Sequence, residues 1–233
     1  MQPYFFPYLG YFGLIANTER WIVFDAVQYI RKGWMNRNRV LKAGGGEKYV
    51  GLIVADHARE TLIRDMHFAH EPDRFERLVR HLDAYKLLRA PHYERVLELL
   101  RDCLEPSIDE LVPLLTRCLD CTCSYLGIPF RYEVYSTMRL EHPKPRHPME
   151  WALYICKGLG TREYVNPPGG RAFFDPRRFA DNGLKLLFYE QTLPVYDQRR
   201  QPFIAGLSII DVMMFNTPER VREMLRQYRL CEQ

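Results

Sequence analysis

The densest concentration of chemically useful side chains lies between Asp25 and Arg39, in the run DAVQYIRKGWMNRNR. Four cations, Arg31, Lys32, Arg37 and Arg39, stand there beside Gln28, Tyr29, Trp34, Asn36 and Asn38. Guanidinium and ammonium groups suit phosphate or carboxylate oxygens, an aromatic face such as Trp34 or Tyr29 covers a base or sugar ring, and the asparagines add neutral donors. The run follows Trp21-Ile-Val-Phe24, an apolar block that reads as a buried strand closed by Asp25. Open α/β sheets place ligands at the C-terminal ends of their strands, so this segment is the first candidate site. Asp25 is the candidate general acid or base, a carboxylate at a strand end beside cations. The plainer alternatives are a solvated positive loop with one buried tryptophan, and an Asp25 that only orients Arg31 or Arg37.

The opening residues are the second candidate element. Prolines at positions 3 and 7 forbid a helix and fix an extended loop, in which Gln2, Tyr4, Pro7, Gly10 and Tyr11 precede a helix. Gly10 would let a ligand approach the backbone, while Phe5, Phe6 and Phe12 suit a core. Loop, helix and an apolar strand ending in Asp25 resemble in outline the nucleotide-binding unit of nucleotidyltransferases. The paired histidines of that group are absent, with Pro7 to Tyr11 in their place. The third element is Asn166-Pro-Pro-Gly-Gly170, where the N–H groups of Gly169 and Gly170 could cradle an anion or an oxyanion, or simply make a turn. It lacks the spacing and the lysine-serine pair of a phosphate loop. Ser208-Ile-Ile-Asp211 fits a capping box, for which structural duty suffices. His142 and His147 flank a proline-rich connection and read as surface residues.

Positioning these groups requires a scaffold. Residues 10–16 are helix-compatible, and Tyr49 to Val54 reads as a strand. Residues 73–126 carry apolar positions at spacings of three and four, a block of about three helices. Phe130 to Tyr135 reads as a strand, Glu150 to Leu159 as a helix stopped by Gly160, Tyr164-Val165 and Leu184 to Tyr189 as strands. Two helices, near Ile209 to Phe215 and Pro218 to Tyr228, follow. This alternation predicts an α/β fold with a mainly parallel, Rossmann-like sheet: residues 1–72 and 128–233 form the α/β core, 73–127 a helical insertion, all in one functional unit.

Composition narrows the function classes. The 233 residues are 47% apolar and 27% charged, with a net charge of +4, enough for a full core but too little positive excess for bulk nucleic-acid or membrane binding. Any positive field must be local. No run approaches the roughly 18 apolar residues of a membrane span, and no signal sequence opens the chain, so a cytoplasmic location without membrane insertion is expected. Six cysteines without repeating spacing read as reduced thiols. Cys118, Cys121 and Cys123 invite a zinc reading, but on a helix the third lies about 180° from the first, so they are read as packing residues with no metal. No cofactor is identified.

The stretches QPYFFPYLGYF (2–12), FDAVQYIRKGWMNRNRV (24–40), YVNPPGGRAFFD (164–175) and FIAGLSIIDVMMFN (203–216) together resemble the WbqC-like protein family over nearly the whole chain. The resemblance implies a bacterial protein of surface-polysaccharide or related sugar pathways. The residues that carry it over are Gln2, Pro3, Tyr4, Pro7, Gly10, Tyr11, Asp25, Gln28, Tyr29, Trp34, Asn36, Arg37, Asn38, Gly169, Gly170, Ser208 and Asp211. Members usually have a short apolar strand ahead of the QPYFFP-like segment, whereas this chain has Met1 alone. The leading expectation is a transferase moving an acyl or aminoacyl group onto an amino-sugar or sugar nucleotide. In that scheme the cations hold phosphates, Gly169 and Gly170 meet the oxyanion, and Asp25 takes the amine proton. The alternatives are a non-catalytic module binding a glycan precursor or nucleotide, and a nucleotidyltransferase-like enzyme or a protein that binds the acceptor end of tRNA through its many arginines.

Overall fold

The computed structural model describes residues 1–232, which fall into two compact units. The first, Met1–Thr137 with Leu193–Arg226, begins with helix α1 (Leu9–Ala16) and strands β1 (Trp21–Val23), β2 (Arg37–Leu41) and β3 (Glu47–Gly51). Helices α2 (Arg74–Arg80), α3 (Asp83–Leu87), α4 (Tyr93–Cys103) and α5 (Leu111–Leu126) and strand β4 (Tyr132–Val134) follow. The second unit carries α6 (Pro148–Gly158), β5 (Glu163–Asn166), α7 (Pro176–Ala180) and β6 (Lys185–Gln191). The chain returns to the first unit for α8 (Ile209–Phe215) and α9 (Pro218–Leu225), then closes the second with β7 (Tyr228–Cys231).

The fold is mixed α/β with small sheets. β1 pairs with β4 in parallel, with Trp21 opposite Tyr132 and Val23 opposite Val134. β2 and β3 form an antiparallel hairpin in which Arg39 faces Tyr49. In the second unit β6 is central, parallel to β5 and antiparallel to β7. The strands therefore gather in three sheets of two, two and three strands, with parallel pairing in two of them.

Helix α5 shows how the sequence makes this architecture. Leu111, Leu114, Leu115, Cys118, Leu119, Thr122 and Leu126 recur at three and four and are all buried, one continuous stripe against the core. The helix ends where Gly127 takes φ +66, a left-handed conformation that glycine adopts without steric cost. Cys118 and Cys123 are buried packing residues of this helix.

Local expectations were corrected in three places. The block 73–126 contains four helices, because the chain turns at His81 and Leu82 and again around Ala90 and Pro91, cutting out the short α3. Residues 37–39, expected as the end of a loop, open strand β2: their cations alternate with Asn38 and Val40, so the charged side chains occupy one face while the other is buried. The last helix, expected to run to Tyr228, ends at Leu225, and Tyr228 instead opens β7 (Tyr228–Cys231), on the edge of β6.

Candidate functional site

Period-two alternation on the hairpin β2–β3 sets Arg37 and Arg39 on one face, and the cross-strand partner of Arg39, Tyr49, shares it. The guanidinium of Arg37 lies over the Tyr49 ring, 4.2 Å from its centroid, and that of Arg39 is 5.8 Å from the Trp34 ring centroid. The Trp34 and Tyr49 rings are 6.2 Å apart and inclined by 34°. Both rings are open to solvent, 40% and 51% exposed, and adjacent to one another on this face. Arg39 also pairs with Glu47 at 2.8 Å and donates to the Gly206 carbonyl. Arg37 donates to the Lys32 carbonyl at 2.6 Å. Two rings and two cations are thus assembled on one face.

The rest of the 25–39 segment builds the loop that presents Trp34. Tyr29, buried, donates to Asn36 Oδ1 at 3.0 Å, and Asn36 Nδ2 donates to the Leu52 carbonyl at 3.1 Å. Gln28 and Arg31 donate to the carbonyls of Arg59 and His57, which ties the loop to residues 57–59. Lys32 is exposed, with a left-handed backbone at φ 60. Gly51 lets the loop return against β3: a Cβ there would sit 2.7 Å from the Arg37 Cα. These polar residues are spent on the loop's own shape, not on the face.

Asn38 points the other way. Its buried amide donates to the carbonyls of Phe5 and Phe6, at 3.0 and 2.9 Å, and the Phe6 carbonyl also accepts from Ser208 Oγ at 2.7 Å. Phe6 holds φ 38, so its carbonyl is fixed between the two donors. The Pro7 carbonyl accepts from Ile209 N at 2.8 Å, and Ser208 caps α8 through Ile210 N. Tyr11 donates to the Gln2 carbonyl at 2.7 Å and its ring lies 5.5 Å from that of Tyr4. The space beside Gly10 is filled by the Tyr8 ring, 2.5 Å from where a Cβ would be. The opening loop is a structural plug around Asn38 and Ser208.

Asp25 is 1% exposed and its carboxylate accepts from Ser136 N at 3.0 Å and Ser136 Oγ at 2.6 Å. Arg31 and Arg37 donate to backbone carbonyls instead. The carboxylate holds the turn Tyr135–Thr137 that follows β4 against the end of β1.

Asp211 occupies a different kind of position, fully buried in the first turn of α8. Tyr85 donates to its Oδ1 at 2.8 Å, and Tyr196 and Gln198 to its Oδ2 at 2.5 and 2.8 Å. Burial raises its pKa to about 6 against the pull of these three donors. Tyr85 in turn accepts from Leu41 N at 3.1 Å, so the network pins β2 to α3 and α8. Sequence reasoning missed Tyr85, Tyr196 and Gln198, which are scattered along the chain; it also missed Tyr49, whose alternation in the expected 49–54 strand places it beside Arg39.

Asn166, Gly169 and Gly170 lie in the second unit. Asn166 is buried at the end of β5 and accepts from Tyr164 Oη at 3.3 Å. Gly170 N is already used, donating to the Pro167 carbonyl at 3.0 Å in the 3-10 turn Pro168–Phe173. Gly170 carries no Cβ because the Asn166 amide occupies that space, whereas Gly169 is exposed with nothing near it. No helix among the described residues is long and apolar enough to cross a membrane.

Comparison with known proteins sets these features in a lineage. No solved structure gives a match to this chain. Uncharacterized protein Rv1507c of Mycobacterium tuberculosis (strain ATCC 25618 / H37Rv) is 29% identical over 239 residues, covering 98% of this chain and 97% of its own length. The WbqC-like protein family matches residues 2–223, a span that takes in the hairpin face, the opening plug and both ends of the Asp211 network, and the chain belongs to that family.

Proposed function

We propose that the hairpin face binds a ring-bearing anion of sugar-nucleotide type, and that the protein serves bacterial surface-glycan or related sugar biosynthesis as a transferase. The observation that carries the binding is the exposed Trp34–Tyr49 pair with Arg37 and Arg39 over its rings. A base inserted against Trp34 gains stacking, and the guanidinium groups meet the phosphates beside it. Transfer of an acyl or aminoacyl group rests on the family resemblance.

A second reading, a non-catalytic module that binds the same precursor, is favoured by Asp25: with its carboxylate buried and both oxygens engaged by Ser136, it is poorly placed to take a proton from an amine. The tRNA-end and nucleotidyltransferase-like alternatives use the same cations and have no observation of their own. As architecture, the Rossmann-like arrangement with 73–127 as an insertion belongs to the proposal, supported by the parallel ladders β1·β4 and β5·β6.

The test is titration calorimetry of the full chain with UDP-N-acetylglucosamine as probe. Saturable binding that tightens at low ionic strength and falls by about 10- to 100-fold in Trp34→Ala supports the site. Equal affinity of Trp34→Ala and the parent rejects it. Where binding is found, hydrolysis or transfer retained in Asp25→Asn removes Asp25 from the chemistry.

A further inference from the structure

The junction of α3 and α4 forms a surface depression of about 490 Å³, within the size range of small-molecule sites. Three cations, Lys86, Arg89 and Arg95, line it, with Glu94 the one carboxylate and the rings of Tyr85, His92 and Tyr93. Some cations of this chain have an acidic partner, as in Lys48–Asp83 or Arg220–Glu223. Lys86 and Arg89 have neither an ion pair nor a side-chain hydrogen bond among the described residues. Arg95 lies over the Tyr125 ring, 5.3 Å from its centroid.

The rim is held in an unusual shape. Arg89 takes φ 51, a left-handed conformation that arginine adopts at a cost. The carbonyls of Leu88 and Arg89 both accept from the Arg199 guanidinium. Arg199 thus ties down the bend and adds a further positive charge behind it. The floor is Tyr85, immobilised by Asp211 and Leu41 N, so the depression rests on a rigid base. Three cations against one carboxylate on a concave surface favour the entry of an anion.

We infer that this depression is a binding site for a small phosphorylated anion. Arg89 and Arg95 offer planar donor forks to phosphate oxygens and Lys86 a compact point charge. Its volume exceeds what one orthophosphate fills, so pyrophosphate or a phosphorylated metabolite is the fitting class. The inference stands on residues 85–95 and 199 and does not depend on the hairpin face.

Titration calorimetry of the full chain with inorganic pyrophosphate at low ionic strength tests it. The expected result is saturable one-site binding that weakens as salt rises, with affinity at least about tenfold lower in the Lys86→Ala/Arg89→Ala double variant and unchanged in Trp34→Ala. Both replaced side chains are exposed, and an unchanged melting temperature shows the variant folded. The inference is overturned by no saturable heat in the parent, by a folded double variant that binds as tightly, or by loss of pyrophosphate binding in Trp34→Ala.

Discussion

The carboxylate of Asp25 and the hydroxyl of Ser136 meet at 2.6 Å, although 111 residues separate them in the chain. Ser136 closes the grip with its backbone N–H at 3.0 Å on the other carboxylate oxygen. A residue whose type and position suggest acid–base chemistry is therefore a clamp between the ends of two parallel strands. Its geometry matches a side-chain cap on a turn, and the energetic cost of breaking it is readable.

Asp25→Asn replaces one accepting oxygen by a donor facing a donor. Hydrogen bonds to a charged group are worth about 1.5–3 kcal/mol, and we expect a loss of stability in that range by urea denaturation. Ser136→Ala removes only the hydroxyl and costs less. The two substitutions share one interaction, so a double-mutant cycle returns a coupling clearly different from zero. Additivity of the two would show that the hydroxyl–carboxylate pair carries no coupling.

Asn38 and Ser208 converge on the Phe6 carbonyl and are expected to differ in their cost. Asn38→Ala strands the Phe5 carbonyl and halves the donors to Phe6, and unsatisfied buried groups cost about 1–3 kcal/mol each. Ser208→Ala leaves Phe6 with the Asn38 amide and loses one cap on α8, about 1 kcal/mol. Thermal unfolding of the two variants side by side should place Asn38→Ala clearly lower. Amide exchange in residues 2–8 should rise in Asn38→Ala first, because the plug is held by that side chain.

These cases show what was legible in the sequence. Apolar spacing at three and four made α5 readable, and short apolar runs made β1 and β6 readable, since those residues are buried. The hairpin face is legible in part: the cations and Trp34 stand out by type, but the loop-like composition from Asp25 to Arg39 hides the strand that sorts Arg37 and Arg39 from Asn38. Side-chain chemistry alone does not say which way a residue faces. Asp25, Asn38 and Asp211 are polar groups buried by long-range partners, Ser136, Phe5 and Tyr85, whose pairing is a product of tertiary packing. Gly10 and Gly170 looked like room for a ligand and are room for Tyr8 and Asn166.

Gly51→Ala tests the close approach that shapes the Trp34 loop. A Cβ at Gly51 would meet the Arg37 Cα at 2.7 Å and the Asn36 carbonyl, both backbone, so no side chain can swing aside. Overpacking of this kind costs about 1–3 kcal/mol and shifts the backbone. The intrinsic fluorescence maximum, read against a Trp34→Phe reference to isolate the Trp34 share, and the affinity for a stacking ligand should change together. Gly44→Ala, in the hairpin turn with open space around it, is the matched control and should change neither.

Asp211 gives the chain a pH-dependent contribution to stability whose sign can be worked out. Its folded pKa, about 6, lies above the ordinary value of 3.8, so between these limits the native state holds a proton that the unfolded chain has lost. Stability from this group is present in full below about pH 4 and declines as pH rises through 6, by roughly 3 kcal/mol in all. Above that the carboxylate is ionised in both states and the contribution is flat. Comparing Asp211→Asn with the parent by urea denaturation across pH 4 to 8 isolates the effect, because every other titrating group is shared. The parent should lose its advantage over the variant as pH rises from 4 to 6 and keep a constant difference beyond 7. A difference independent of pH would mean that Tyr85, Tyr196 and Gln198 stabilise the ionised carboxylate enough to cancel the effect of its burial.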